Sequence, residues 1–217
     1  MECREAVVSY LSWGLVVGGG AYLLRQMQNC AEYGRYAPTQ AHCCPARLGW
    51  FLQEVPALFV PLLLLLLPAE AGSGTGRRLL VGTFMLHYFH RSIIYALLTR
   101  GRPIPLIIIV SAVIFCSING FLQGHFLLHC ARFEDTWLTR ARLTAGGMFE
   151  FVSGANFFGE IVEWCGYAVA VWSLPAFAFA FFTICSIGPR ACMHHRDYQQ
   201  RFKDYPRSRK AIIPFIL

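Results

Sequence analysis

The sequence predicts an all-α integral membrane protein, a multi-span helical bundle around a polar cavity, and three observations lead to this prediction. Hydrophobic residues make up 56% of the 217 positions and charged residues 14%, against about 25% charged residues in soluble domains. Six apolar segments are long enough, or nearly long enough, to cross a bilayer. Several of them carry charged or amide side chains at helical spacing. Such side chains are costly in lipid and therefore indicate an interior that shields them.

The six predicted spans follow one another without an internal repeat, so residues 1–217 are expected to form a single domain. The fourth span is long enough to tilt, or to break at Asn119 and Gly120, and only Ser173 and Pro175 separate the fifth from the sixth. Residues 69–78 are rich in Gly and Ser and predict a flexible connector. The predicted spans cover residues 7–24, 48–67, 79–98, 104–129, 148–172 and 174–187.

The basic C-terminal tail accounts for much of the net charge of +7. Such a tail can bind nucleic acid, lipid headgroups or phosphate, but in a multi-pass protein it is the ordinary result of the positive-inside rule. We therefore expect membrane lipid, and no nucleic acid, as a partner. The nine cysteines are scattered and odd in number. They show neither metal-ligand spacing nor a secreted disulfide framework.

The fifth predicted span carries the most pronounced polar stripe. Asn156, Glu160 and Glu163 lie at i, i+4 and i+7, and Tyr167 falls close to the same line. Two carboxylates within one span favour a polar ligand beside this helix. The alternative is a hydrogen-bonded seam between packed helices.

The second predicted span has Glu54 within its apolar run, followed by Pro56 and Pro61. Each proline removes a helical hydrogen bond, and a kinked helix that carries a carboxylate suggests the wall of a cavity. The alternative is that Glu54 lies near the membrane interface beside Arg47 and extends its charge toward water.

The third predicted span places Tyr88, Arg91 and Tyr95 at i, i+3 and i+7, on one face, where exposure to lipid would be expensive. The turn that follows contains Arg100 and Arg102, and guanidinium groups in such a turn suit phosphate. An ordinary cytosolic loop is the alternative for this turn.

The tail repeats the pattern of a polar helical face. Arg190, His194 and Tyr198 are spaced by four, so a cation, an imidazole and a phenol share one side of a predicted helix. This set can clamp a phosphate and stack on or hydrogen-bond an adjoining ring. The alternative is a solvated helix next to the membrane.

Pairs of histidines suggest a rival function, that of the membrane di-iron hydroxylases, which hold metal with histidine clusters. The pairs are His87 with His90, His125 with His129, and His194 with His195. Those enzymes need about three such clusters, and the HxxHH form does not occur among the seven histidines of this chain. No metal site is expected.

Four segments of residues 47–217 resemble the steroid 5α-reductase family. They occur in the family's order and read WFLQEVP, LHYFHRSIIYALLTRGRPIP, GGMFEFVSGANFFGEIVEWCGYA and HHxxYxxxFxxYPxSRKxxIPFI. The resemblance implies a seven-span bundle in the endoplasmic reticulum membrane that encloses NADPH and a 3-oxo-Δ4-steroid, and we expect a monomer. The family transfers a hydride to carbon 5 of the steroid and a proton to carbon 4.

The resemblance also implies roles for individual residues. Tyr88 would donate to the 3-oxo oxygen, where negative charge develops, with Glu54 as its partner and Trp50 packed on the ligands. Positions that the family uses around NADPH, or in its phosphate and ribose environment, correspond here to Arg91, Arg102, Asn156, Glu160, Arg190, His194 and Tyr198.

One departure from the family follows Thr139. Relatives continue there through a further span and its loop, on the order of 35 residues, whereas this chain passes almost directly to Arg142 and Gly146. Two alternative functions remain open. The shortened chain can be catalytically inactive, or it can be a methyltransferase of the isoprenylcysteine type, whose basic tail is loosely similar.

Overall fold

The computed structural model describes residues 2–28, 42–67, 75–131, 155–202, 205–206 and 209–213. The elements in chain order are α1 (Glu5–Gln28), β1 (Cys43–Cys44), α2 (Ala46–Leu65), α3 (Thr75–Phe89), the π-helix π1 (His90–Tyr95), α4 (Ala96–Leu98), β2 (Ile104–Pro105), α5 (Leu106–His125), the π-helix π2 (Phe126–Cys130), α6 (Ala155–Val171) and α7 (Leu174–Arg201). Because α3, π1 and α4 are continuous, as are α5 and π2, the described residues form six helical segments.

The predicted fold class is confirmed. Among the residues that the structure describes, four helices are long and apolar enough to cross a membrane, namely Glu5–Gln28, Ala46–Leu65, Leu106–Cys130 and Leu174–Arg201. The six helical segments match the six predicted spans in order. Residues 148–154 of the fifth predicted span, together with Thr139, Arg142 and Gly146, lie outside the described residues.

Two compact units can be distinguished within the chain. The first consists of Met1–Leu11 and Glu32–Arg140, and the second of Ser12–Ala31 and Ala141–Leu217. Helix α1 thus contributes its first residues to one unit and the remainder to the other. The single domain over residues 1–217 stays a prediction.

In the first unit, α5 packs closely on α2 because two glycines face that helix. A Cβ atom at Gly120 would come within 3.0 Å of the Ala57 Cα, and one at Gly124 within 3.2 Å of the Pro61 Cα. Small residues four positions apart let two helix backbones approach. Of the two alternatives for the fourth span, a tilt or a break, the break near Asn119 is wrong, because α5 is continuous there and Gly120 faces α2.

Helix α3 begins earlier than the sequence predicts. The flexible connector was expected to extend to residue 78, but α3 starts at Thr75, and residues 69–74 lie outside the described residues. Arg77 is buried, at 8% exposure, and its Nη2 donates to the Ala131 carbonyl oxygen at 3.2 Å. The hydrogen bond from buried Arg77 to Ala131 therefore stabilises a helical turn in a stretch whose Gly-rich sequence predicts a loop.

A disulfide joins Cys3, just before α1, to Cys130 at the end of π2. Beside it, the backbone N–H of Arg4 donates to Nε2 of His125 at 3.1 Å. The scattered cysteines form no recognisable disulfide framework in the sequence, and their pattern does not predict this bond. Their separation of 127 residues leaves no local spacing from which the bond could be read.

In the second unit, α6 and α7 are separated by a sharp turn, as predicted. Trp172 has a positive φ of 49°, and Ser173 caps α7 by accepting the Ala176 N–H at 3.3 Å. Pro175 lies in the first turn of the new helix, where its missing N–H costs nothing. Helix α7 then continues to Arg201, so the predicted sixth span and the predicted tail helix are one element.

A side chain of α1 supports α7 where Pro189 interrupts its hydrogen bonding. Proline has no N–H, so the carbonyl of Cys185, four residues earlier, lacks its usual helical donor. Nε2 of Gln26 donates to the carbonyl oxygens of Cys185 at 3.2 Å and Ser186 at 3.1 Å. Helix α7 therefore passes Pro189 with this carbonyl satisfied from a neighbouring helix.

We expect Gln26→Leu to destabilise the protein by about 1–3 kcal/mol, because it leaves the Cys185 carbonyl unsatisfied. Pro189→Ala restores an N–H for that carbonyl, so Gln26→Leu should cost less in the Pro189→Ala background. Thermal unfolding of the four proteins in detergent measures this coupling. Equal losses in both backgrounds would show that the Gln26 amide does not replace the missing N–H.

Candidate functional site

The predicted site residues Trp50, Glu54, Tyr88, Arg91 and Arg102 belong to the first unit. The remaining ones, Asn156, Glu160, Arg190, His194 and Tyr198, belong to the second. Each unit brings several of its own predicted residues next to polar and aromatic side chains.

In the first unit, Arg91 is held by an ion pair and two aromatic rings. Its Nη2 lies 2.7 Å from Oε1 of Glu54, and its guanidinium carbon lies 5.1 Å from the ring centre of Trp50 and 5.3 Å from that of Tyr95. The Glu54 side chain is only 12% exposed. Desolvation and the planar guanidinium strengthen such contacts.

The ion-pair partner of Glu54 distinguishes between the two interpretations of the second span, a cavity wall and an interfacial position beside Arg47. Arg47 bonds instead to the Thr99 carbonyl at 3.4 Å, at the exposed start of α2. The alternative in which Glu54 extends toward Arg47 and water is therefore wrong. As a carboxylate paired with Arg91, Glu54 accepts hydrogen bonds in an interior position.

Trp50 lies where the cluster meets the apolar core of the first unit. It packs against the buried side chains of Cys44, Ile104 and Ile109. Its ring also meets that of Tyr95 edge to face, with ring centres 5.0 Å apart. Trp50 thus presents one surface to the core and another to the cation of Arg91.

Tyr88 is almost fully buried, at 3% exposure. Its ring is flanked by Phe84 and His87, with ring centres 4.8 and 5.1 Å away. Oγ of Ser92, in π1, donates to the Tyr88 carbonyl oxygen at 2.6 Å. A π-helical turn widens a helix locally and is often found at functional sites, and here it follows directly on the turn that carries the phenol.

Two amides of α5, to which the sequence assigned no role, reach this phenol. Nδ2 of Asn119 donates to Oη of Tyr88 at 3.2 Å, and Nε2 of Gln123 donates to Oδ1 of Asn119 at 3.2 Å. Both amides are fully buried, at 0% exposure. In the sequence, the feature that could have predicted this role is the pair of amides four residues apart in an otherwise apolar span.

Arg102 lies in the exposed turn between α4 and β2. Strands β1 and β2 pair antiparallel, with Cys44 opposite Ile104, and the N–H of Leu106 donates to the His42 carbonyl at 2.9 Å. This short sheet fixes the turn next to the beginning of α2. Arg102 therefore stands on a loop that this short sheet anchors.

In the second unit, α7 carries its predicted polar residues next to α6 and α1. Arg190 is half-buried and makes a side-chain hydrogen bond with Tyr22. The ring of His194 lies 5.5 Å from that of Phe157 in the first turn of α6 and 6.3 Å from that of Tyr198. A cation, an imidazole and a phenol are thus presented together, as the spacing predicts.

The predicted stripe on α6 does not have one environment. Asn156 and Glu163 are exposed and Glu160 is half-buried. Tyr167 is buried at 6% exposure, where its ring meets that of Trp164, with ring centres 5.6 Å apart. Asn156 and Glu160 lie within one helical turn of Phe157, whose ring contacts His194.

Within the described ranges, no group of three or more His, Cys, Asp or Glu side chains could hold a metal ion. The polar clusters consist instead of guanidinium, amide, phenol and imidazole groups among aromatic rings.

A model of the family described as 3-oxo-5-alpha-steroid 4-dehydrogenase matches residues 102–146 and 139–217. The chain belongs to this family. It is 41% identical to 3-oxo-5-alpha-steroid 4-dehydrogenase 2 of Homo sapiens over 253 residues, which cover 100% of this chain and 99% of the relative. The corresponding protein of Mus musculus is 43% identical over 223 residues, 86% of this chain and 88% of the relative.

The type 1 proteins of the 3-oxo-5-alpha-steroid 4-dehydrogenase family are also similar to this chain. That of Homo sapiens is 37% identical over 256 residues, 98% of this chain and 96% of the relative. All of these relatives are named as dehydrogenases, a class of oxidoreductase, and the family shows that this chain is of the same class.

The comparisons also confirm the predicted internal deletion. The alignment with the type 2 protein of Homo sapiens extends over 253 residues and therefore exceeds the 217 residues of this chain by 36. The family model matches in two pieces that meet at residues 139–146. The missing segment of the dehydrogenase therefore lies at the position where the sequence pattern departs from the family.

Proposed function

We propose that this protein reduces the 4,5 double bond of 3-oxo-Δ4-steroids of the testosterone type, with NADPH as hydride donor. Family membership supports reduction of a 3-oxo-steroid in general. The observation that carries the finer proposal is the buried phenol of Tyr88, because this reaction needs a hydrogen-bond donor in a water-poor site. The proposed substrate-binding residues are Trp50, Glu54 and Tyr88.

The chemistry of the second unit's side chains fits a nicotinamide dinucleotide. Guanidinium and imidazole groups suit its phosphates, and aromatic rings suit its planar bases. Arg190, which is hydrogen-bonded to Tyr22, supplies a guanidinium group for a phosphate. His194, whose ring contacts that of Phe157, supplies an imidazole next to an aromatic ring. The proposed cofactor-binding residues are Arg91, Arg102, Asn156, Glu160, Arg190, His194 and Tyr198. When bound, NADPH supplies a hydride to carbon 5 of the steroid.

Tyr88 acts on the other end of the enone. As electrons of the C4–C5 double bond shift toward the carbonyl, negative charge collects on the 3-oxo oxygen, and a phenol O–H aimed at it stabilises that charge. Carbon 4 of the resulting enolate then takes a proton from water, which completes the reduction of the double bond. Glu54, whose Oε1 lies 2.7 Å from Nη2 of Arg91, accepts a hydrogen bond from that guanidinium.

Turnover of the purified full chain in detergent or lipid tests the proposal. We expect consumption of NADPH that depends on a 3-oxo-Δ4-steroid and yields the 5α-reduced product. Thermal unfolding gives a second measurement, since a bound cofactor raises the unfolding temperature. Stabilisation by S-adenosylmethionine and not by NADPH would favour the methyltransferase alternative.

One observation favours a second candidate, a family member without catalytic activity. The 36 residues that this chain lacks relative to the type 2 protein of Homo sapiens are enough for one helix and its loop. A chain that is stable and multi-pass, yet neither binds NADPH nor turns over steroid, would establish this candidate. Restoring the missing segment from the type 2 relative would then be expected to restore both properties.

We also propose that the protein resides in the endoplasmic reticulum membrane, as a monomer, with Cys3 and Cys130 on the lumenal side. Disulfides persist in oxidising compartments, and two bonded residues lie on one face of the membrane. An even number of crossings must therefore separate them. Because α1, α2 and α5 alone would give an odd number, the run from α3 to α4 must cross as well.

We expect Cys3→Ser to free one additional thiol and to destabilise the protein by about 2–4 kcal/mol, because a long closed loop is opened. Maleimide labelling of the denatured protein, without reductant, counts the thiols. Cys43→Ser is the matched control, since Cys43 is an exposed free thiol and its removal should subtract one label. A count that falls by one in Cys3→Ser, as it does in Cys43→Ser, would show that the bond is absent.

A further inference from the structure

A ladder of two buried amides ends on the Tyr88 phenol. Gln123 and Asn119 lie one turn apart on α5, and each is 0% exposed. Gln123 donates to Oδ1 of Asn119, and Asn119 donates from Nδ2 to Oη of Tyr88, both at 3.2 Å. The first bond lies within α5, and the second joins α5 to α3, between residues 31 positions apart in the chain.

The ladder fixes which hydrogen bond the Tyr88 phenol accepts and so limits the directions in which it can donate. With its carbonyl oxygen engaged by Gln123, the Asn119 amide presents its N–H to Tyr88. A phenol oxygen that accepts this N–H directs its own O–H elsewhere. The accepted bond also polarises the phenol, because successive hydrogen bonds in a chain strengthen one another in a low-dielectric interior.

The helix that carries the ladder is fixed in position. Gly120, next to Asn119, lies so close to α2 that a Cβ atom there would come within 3.0 Å of the Ala57 Cα. Ala57 is one helical turn from Glu54. Asn119 is therefore held in register with the helix that carries the carboxylate of the candidate site.

We infer that Asn119, supported by Gln123, is a positioning residue that aims the Tyr88 O–H at the 3-oxo oxygen of the steroid. The inference rests on the proposed function of Tyr88. Asn119 itself does not touch the substrate. Its contribution is to hold the donor in the direction that the developing charge requires, since misorientation of a catalytic group is expensive in rate.

Steady-state kinetics of Asn119→Leu test the inference. This change removes the amide N–H at similar volume, and we expect kcat to fall about 10-fold while KM changes by less than about threefold. Gln123→Leu should give a smaller loss of kcat in the same direction. Ser117→Ala is the control, because Ser117 lies on the same helix and donates within that helix, to the Val113 carbonyl at 2.7 Å.

The Tyr88→Phe background separates positioning from general damage. Because Asn119 acts through the phenol, Asn119→Leu should lower the residual kcat of Tyr88→Phe no further. A 10-fold loss in both backgrounds, or a change in KM alone, would overturn the inference.

A measurement that needs no turnover keeps the inference distinct from the proposed function. In protein labelled with 3-fluorotyrosine, the Tyr88 signal is the fluorine resonance that Tyr88→Phe abolishes. We expect Asn119→Leu and Gln123→Leu to shift this resonance and Ser117→Ala to leave it in place. If the wild-type protein did not reduce steroid but the variants showed these shifts, the proposed function would be refuted and the hydrogen-bond ladder would stand. An unshifted resonance would refute the ladder.

Discussion

Replacement of Tyr88 with Phe is expected to lower kcat for steroid reduction by about 100- to 1,000-fold, the usual effect of removing a hydrogen-bond donor to a developing oxyanion. The ring itself remains, and its neighbours Phe84 and His87 keep their contacts. The change removes the acceptor of the Asn119 amide, so a loss of stability of about 1–3 kcal/mol accompanies it. Binding of NADPH, whose proposed contacts do not include Tyr88, should be retained.

Product formation under saturating NADPH and steroid measures this effect, with a cofactor-dependent thermal shift to verify folding. Tyr10→Phe serves as the control, because it removes the same atom from a side chain that is 80% exposed. A Tyr88→Phe protein that keeps the wild-type kcat would assign the oxyanion donor to another group.

The second large effect concerns the contact between α2 and α5. Gly120→Ala is expected to destabilise the protein by about 1–3 kcal/mol, within the usual cost of overpacking. The new Cβ atom would meet backbone atoms, the Ala57 Cα at 3.0 Å and the Pro56 carbonyl oxygen at 3.2 Å, which cannot rotate away. Since Asn119 is the adjacent residue, separation of the helices should also weaken its hydrogen bond to Tyr88.

Thermal unfolding in detergent tests this prediction against Gly82→Ala. A Cβ atom at Gly82 would meet nothing within 4 Å, and alanine favours a helix over glycine by about 1 kcal/mol. The two alanine substitutions should therefore have opposite signs. A Gly120→Ala protein as stable as wild type would mean that α2 and α5 are farther apart than the structure places them.

The sequence was sufficient for features that depend on spacing along one helix. Apolar runs located the helical segments, and the i, i+3 and i+7 rule placed Arg91 and Tyr95 together, which their 5.3 Å contact confirms. Pro175 and Ser173 marked the turn before α7 because capping is local chemistry.

Contacts between helices could not be predicted in this way. Glu54 pairs with Arg91, 37 positions away, rather than with its sequence neighbour Arg47. From its local sequence, Gly120 suggests a break in the helix, but in the structure it lets α2 pack closely on α5. Whether a glycine bends a helix or allows close packing depends on the backbone opposite it. The acceptor partners of Gln26 lie about 160 positions further along the chain.

The stack of Trp50 and Arg91 has an optical consequence. The fluorescence of the Trp50 indole depends on its surroundings, which include the Arg91 guanidinium that it contacts. The same guanidinium lies 2.7 Å from the Glu54 carboxylate. Any ligand that draws this cation away must change both contacts together. A variant that keeps Trp50 as its single fluorophore would therefore report, in real time and without a dye, the arrival of a molecule beside Glu54.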